Sequence, residues 1–287
     1  MARDPRIVAA KARRLASRRI NLAEQRVLER MGRPPVLVFA WSKTGSSTLF
    51  ETLKYSHLLR PVYKAHELDD ELEKRLAETA VSKNNLGLNP EQQRSARVMR
   101  AYLASGASGL SMATLVRDPM SRAISSFFQR HHSSGIDMTR EPTPESVAAT
   151  VELLHRMLPA LITSTDAWFD RQMVGVFDVD LFELPFDPRA GYARYEHGRF
   201  DQVVMRLDRF RDVYREALTP VLGRRPGKIR DRNISTGKSY EAHRRATLAE
   251  FRASAEEIDL AADSQVTRHY FSDDERDALL AKWRHDD

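Results

Sequence analysis

An apolar run that gives way to a lysine–glycine loop and then to a helix constrains this chain more than any other feature. Residues 36–50 read VLVFAWSKTGSSTLF. Val36 to Ala40 form a continuous apolar stretch, the pattern of a strand buried on both faces. From Ser47 the pattern turns helical, through TLFETLKYSHLL. Strand, short glycine-containing loop and helix is the unit that builds parallel α/β sheets, and its geometry points backbone N–H groups at an anion. Lys43 adds a full charge beside Gly45, and Ser42, Thr44, Ser46, Ser47 and Thr48 add hydroxyl donors. A plain turn closed by a serine N-cap needs one hydroxyl, so five beside a lysine argue for a bound anion.

The loop departs from the nucleotide-binding pattern G-x-x-x-x-G-K-[ST]. No glycine precedes Gly45 within it, and the lysine comes before the glycine rather than after. A P-loop-type nucleotide or small-molecule kinase therefore stands only as an alternative.

A second stretch, LVRDPMSRAISSFF, repeats the logic. A buried strand delivers Arg117 at its carboxyl end, where open α/β sheets bind ligands. Pro119 stiffens the exit, Ser121 is placed to cap the next helix, and Arg122 and Ser125 follow on that helix. Arg117 and Ser125 together make a phosphate clamp, with charge-assisted bonds of about 1.5–3 kcal/mol each. The competing reading pairs Arg117 with Asp118 and leaves Ser125 as an ordinary helix residue.

Between and beyond these stretches, helical and strand patterns alternate. PVYKAHEL (61–68) reads as a strand, and a charged helix is expected from Asp69. KNNLGLNP (83–90) is a loop, with a helix from Glu91 and a strand over LSMATLV. A long helix is expected from Pro144 to Thr163, a strand over Val203–Leu207, and a helix over SDDERDALLAKW with Ser272 and Glu275 in capping-box spacing. The fold class is therefore α/β, a parallel sheet flanked by helices in one domain over 32–287. Residues 1–31 read as a basic helical extension set off by Gly32-Arg33-Pro34-Pro35. As a basic amphipathic helix it either packs on the domain or offers a peripheral contact to an acidic membrane surface.

Composition narrows the function only in part. The 287 residues carry 46 basic and 40 acidic side chains, a net charge of +6, which suits an anionic small molecule as well as nucleic acid. No aromatic-rich basic face of the RNA-binding type appears, so no nucleic acid is expected. Zero cysteines exclude disulfides, thiolate metal sites and cysteine nucleophiles. His131 and His132 are adjacent and diverge on a helix, so they suggest no metal. There is no run long enough for a membrane span and no apolar signal core at the N-terminus, and a cytoplasmic protein is expected. Trp168-Phe169 and Tyr192/Tyr195 read as core rather than as sugar-stacking platforms.

Taken together, WSKTGSSTLF and RDPMSRAISSFF resemble the 5′-phosphosulfate loop and the 3′-phosphate motif, R-D-P-x-x-R-x-x-S-x-F, of sulfotransferases that use 3′-phosphoadenosine 5′-phosphosulfate (PAPS). Further segments, DVDLFELPFDPRAGYARY, NISTGKSY and HYFSDDERDALLAKW, are similar to the sulfotransferase-like group associated with capsular polysaccharide synthesis. The resemblance covers most of the chain from Val36 to Trp283. It implies PAPS as donor, 3′,5′-adenosine bisphosphate (PAP) as product, no required metal, and a hydroxyl or amine of a saccharide or small metabolite as acceptor. It implies that Lys43 steadies the leaving phosphate, that residues 42–48 hold the 5′-phosphate, and that Arg117 and Ser125 hold the 3′-phosphate. VYKAHEL is similar to the K-T-H-L segment of cytosolic sulfotransferases, with Lys64 supporting the sulfuryl group and His66 the base. Glu67 is the rival base, as in many glycan sulfotransferases. The loop KIRDRNISTGKSY (228–240) offers Asn233, Ser235 and Lys238 as nucleotide contacts, or is a solvated surface loop. The remaining alternative is a non-catalytic anion or nucleotide binder.

Overall fold

The structure is a computed structural model that describes residues 26–70, 90–131, 134–232 and 238–284. Five strands form its sheet: β1 (Val36–Phe39), β2 (Val62–Ala65), β3 (Leu110–Val116), β4 (Tyr192–His197) and β5 (Phe200–Arg206), in the spatial order β2-β1-β3-β5-β4. The first three and β5 run parallel, with Val36 opposite Val62 and Ser111, and Val116 opposite Arg206. The expected α/β class is observed. One strand departs from it: β4 pairs antiparallel with β5 through a tight hairpin at Gly198, whose φ of 53° glycine accepts without strain. YARYEH escapes a search for apolar runs because it is an edge strand, and its charged positions face solvent.

The central strands have two buried faces, and their side chains divide by the two-residue period of a strand. Leu37, Phe39, Met112, Val116 and Val204 join Trp168, Phe169 and Tyr270 on one side. Val36, Val38, Ala113, Leu115, Val203 and Met205 join α1 (Ser46–Lys54) on the other, through Leu49, Phe50 and Leu53. Each large apolar side chain fully buried this way contributes roughly 1.5–3 kcal/mol. The polar residues inside β3 find partners: the Ser111 hydroxyl donates to the Val221 carbonyl at 3.0 Å, and Thr114 accepts from the Gln202 amide at 3.1 Å.

The helices that follow β2 and β3 are α2 (Pro90–Ala104) and α3 (Pro119–Gln129). Asp118, not Ser121, caps α3, accepting from the Ser121 N–H at 2.8 Å. The long helix α4 (Pro144–Phe169) runs six residues past the expected end at Thr163 and continues into a π-helical segment, Asp170–Val174. Its extra turns contain Ser164 and Thr165, residues whose hydroxyls often unwind a helix. Here both accept hydrogen bonds from the guanidinium of Arg122. A third core layer joins α3 and α4 to α6 (Glu241–Glu250), α7 (Ala255–Asp263) and α9 (Asp273–Ala281). The remaining elements are a helical turn, Gly175–Phe177, after the π-helical segment, α5 (Phe210–Leu222), behind β5, and the short α8 (Gln265–Tyr270). The Ser272 and Glu275 capping box on α9 forms as expected. Among the described residues no helix is long and apolar enough to cross a membrane.

Residues 1–25 of the basic extension, the charged helix beyond Asp70, loop positions 83–89, His132, Asn233 and Ser235 lie outside the described residues.

Candidate anion site

The sheet order places the site. From β1 the chain passes through α1 to β2 on one side, while β3 lies on the other side of β1. Loops leaving β1 and β3 at their carboxyl ends thus diverge, which is where a doubly wound sheet opens a crevice. A cavity of about 760 Å³ occupies that position, lined by the β1–α1 loop, the ends of β2, β3 and β5, and α6.

Its floor begins with the loop read first from sequence. Lys43 has a φ of 72° and Gly45 a φ of 84°, two left-handed positions that turn the chain from strand to helix. Only glycine fits the second: a Cβ there would lie 2.5 Å from Leu207 Cδ1. Gly45 is also the N-cap of α1, so no side chain caps the helix. The first-turn N–H groups have no intrahelical acceptor and carry the positive end of the helix dipole. Ser42, Ser46 and Ser47 line the cavity beside Lys43. Thr44 does not: it is buried, and its hydroxyl donates to the Trp41 carbonyl at 2.8 Å. Thr48 reaches the cavity, but its hydroxyl bonds the backbone of Arg232.

Arg117 crosses from β3 to complete the floor. Its Nη1 donates to the Lys43 carbonyl at 3.0 Å and to Ser125 Oγ at 3.1 Å, so the two sequence motifs meet. Asp118 caps α3 and its charge also acts on Arg117, whose hydrogen bonds go to Lys43 and Ser125. Arg122 points elsewhere. It is fully buried, donates to Leu161, Ser164 and Thr165 of α4, and lies over the Trp41 ring at 5.6 Å. Burial, then Arg130 and Arg117, lower its pKa to about 9.

Electrostatics single out Lys43. Burial, followed by the charges of Lys238, Arg117, Lys64 and Arg244, lowers its ammonium pKa to about 8. Lys64 is also brought to about 8, by burial first, although Glu91 and Glu51 oppose the shift. Its Nζ donates to Ser47 Oγ at 2.9 Å. His66 follows Lys64 on the same side of β2 and lines the cavity. Nδ1 of His66 faces the Ala40 carbonyl at 2.5 Å, so it is the protonated nitrogen, and the lone pair sits on Nε2. Burial, then Lys64, lowers the His66 pKa to about 4, and the ring is neutral at ordinary pH. Glu67 is not among the described residues lining the cavity, whereas Lys238 is.

Several lining residues carry no local signal in the sequence. Gln92 and Ser95 come from α2, Leu207 and Asp208 from the exit of β5, Tyr240 and Arg244 from the start of α6. Arg244 is one arginine among many until the fold places it beside Lys43.

The family model described as "Putative capsular polysaccharide synthesis protein" matches residues 145–272. That span is less than half of the chain. It takes in α4 through the Ser272 cap, and with it the cavity wall from Leu207 to Arg244, but neither the β1 loop nor Arg117. No curated protein and no solved structure matches the chain.

Proposed function

We propose that this protein is a sulfotransferase that moves a sulfuryl group from PAPS to a hydroxyl, or an amine, of a saccharide or small metabolite. One observation carries the reading. Lys43, at an uncapped helix N-terminus, feels the charges of Lys238, Arg117, Lys64 and Arg244 in a cavity it shares with them. A multiply charged anion supplies the missing counter-charge.

The residues divide the work. The Lys43 ammonium and the first turn of α1, with Ser46 and Ser47, hold the phosphosulfate end and neutralise charge where the leaving oxygen develops it. Arg117 and Ser125 hold the 3′-phosphate; Ser125 accepts from Arg117 and keeps its own proton for a ligand. His66 Nε2, left free because Nδ1–H is held by Ala40, is the nitrogen placed to take the acceptor's proton, and the charge developing on the leaving phosphate offsets the burial that disfavours the imidazolium. Lys64 steadies the transferred group beside Ser47. PAPS, when bound, supplies an activated sulfuryl group whose transfer needs positioning and charge neutralisation rather than a protein nucleophile. The polysaccharide description of the matching family model favours a saccharide acceptor.

The test is thermal unfolding with PAP against AMP, ADP and magnesium-ATP. A ligand at one hundred times its Kd adds about 2.7 kcal/mol, several degrees in a chain of this size. Stabilisation by PAP alone, lost in Lys43→Ala and Arg117→Ala, is the expected result, and His66→Ala should keep it while losing turnover. Stabilisation by magnesium-ATP with no need of a 3′-phosphate would replace this reading with a kinase.

A further inference from the structure

Opposite its buried apolar face, α1 presents Thr48 and Thr52 one turn apart, and Ser56 follows two residues past the helix end. A segment 170 residues and more away in sequence lies along them. Thr48 Oγ1 accepts from the Arg232 N–H and donates to the Arg232 carbonyl, both at 3.1 Å. Thr52 Oγ1 accepts from the Arg230 N–H at 3.0 Å. Ser56 Oγ accepts from the Gly227 N–H at 2.8 Å and donates its own proton to the Thr52 carbonyl. Thr52 and Ser56 are 1% and 5% exposed, covered by the segment they hold. Gly227 is matched to this contact, since a Cβ there would press on Ser56 Oγ at 3.3 Å. Side chains secure the same strap: Arg230 stacks over Tyr55 at 4.1 Å, Arg232 pairs with Glu51 at 3.2 Å, and Asp231 pairs with Arg211.

We propose that Thr48, Thr52 and Ser56 form a rail that docks residues 227–232 against α1, and that Thr52 and Ser56 are thereby positioning residues for the anion cavity. The inference rests on the reading of that cavity as an anion site. Asp231 and Arg232 line the cavity, whereas Thr52 and Ser56 do not. The docked strap is thus a wall of the cavity, and it carries its own neutralised charges. Excluding water from that side strengthens the field of Lys43 on a bound anion, because charge interactions grow as the local dielectric falls. It also gives the Thr48 hydroxyl a structural task, so Thr48 serves the strap rather than a phosphate. The basic loop after Lys228, ambiguous in sequence, becomes at its first residues a fixed part of the site.

The experiment uses the full chain and the variants Thr52→Val with Ser56→Ala, Gly227→Ala, and Thr52→Ser. Two quantities are read: trypsin cleavage at the exposed Lys228, Arg230 and Arg232, and calorimetric affinity for inorganic pyrophosphate and for PAP. The expected result is faster cleavage in the double variant and in Gly227→Ala, with about tenfold weaker binding of both anions, the size of one lost hydrogen-bonded contact. Thr52→Ser, which keeps the acceptor oxygen, should restore both. Faster cleavage with unchanged affinity overturns the proposal, as does wild-type cleavage in both docking variants. If wild type binds pyrophosphate but not PAP, the donor reading falls, and the pyrophosphate arm still decides the strap by the same criteria. Binding of neither anion by wild type overturns both.

Discussion

Arg206 ends β5 and Lys43 lies past the carboxyl end of β1, two places away in one sheet; Arg206 is buried and Lys43 half-buried, with opposite surroundings. Arg206 is 2% exposed and meets Asp208 and Glu275, each at 2.6 Å, and the Phe271 ring at 4.3 Å. Burial alone would lower its pKa; those carboxylates raise it instead. Among the described residues Lys43 forms no ion pair with a carboxylate, and its pKa falls to about 8. A buried charge must be paired or it destabilises the fold. Arg206 is paired from within and ties β5 to the C-terminal helix. Lys43 is left to be paired from outside. The difference separates a cation that holds the protein together from one that holds a ligand.

Exchanging the two roles gives the largest effects. Arg206→Met strands two partly exposed carboxylates and removes several hydrogen bonds, and should cost about 3 kcal/mol in urea unfolding. Anion affinity per folded molecule should change little. Lys43→Met should do the reverse: ligand-free stability is unchanged or higher, while affinity for PAP or pyrophosphate falls roughly 10- to 150-fold, the equivalent of about 1.5–3 kcal/mol. Arg117→Met should resemble Lys43→Met in affinity, with some loss of stability, because Arg117 also bonds the Lys43 carbonyl. A Lys43→Met protein that unfolds like Arg206→Met would erase the distinction.

The pH dependence sharpens it. The folded-state pKa of Lys43 is about 8, against an ordinary 10.5. Between those values the unfolded chain holds a proton that the folded chain has released, so stability rises with pH across the window. Below pH 8 the full penalty of the buried charge is present. The deficit of wild type relative to Lys43→Met should therefore shrink as pH goes from 8 towards 10. Anion affinity moves the other way, since a neutral amine attracts no phosphate. Urea midpoints for the two proteins at several pH values make the comparison, and a flat difference would show that Lys43 keeps its ordinary pKa.

How much of this was legible beforehand follows from distance along the chain. VLVFAWSKTGSS and LVRDP each contain their own strand, turn and donors, so the fold class, Lys43, Arg117 and Ser125 can be read locally. Lys64 and His66 follow from the alternation of a strand. Thr44 and Thr48 looked like ligands because a hydroxyl in a loop carries no mark of whether backbone will claim it; Trp41 and Arg232 do. Arg122 lies one helical turn from Ser125, and the packing of α3 on α4 directs it away from the cavity. Asp208, Tyr240 and Arg244 belong to the cavity through pairings about ninety residues or more apart, which no local pattern encodes. The antiparallel β4 was hidden by its charges.

The smallest expected effect probes how the Arg206 clasp is held. Glu275 Oε2 accepts from Arg206 Nη1 at 2.6 Å and from the Ser272 N–H at 3.1 Å, so one carboxylate oxygen serves both the clasp and the cap of α9. Ser272→Ala removes the capping hydroxyl and should cost about 1 kcal/mol in a wild-type background. With Arg206→Met already in place, Glu275 is free to rotate towards the helix N-terminus and replace part of the lost cap. The same substitution should then cost less, a coupling of about 0.5 kcal/mol, near the lower limit for residues sharing a partner. Four urea curves complete the cycle. Strict additivity would mean that the cap and the clasp use different carboxylate oxygens in solution.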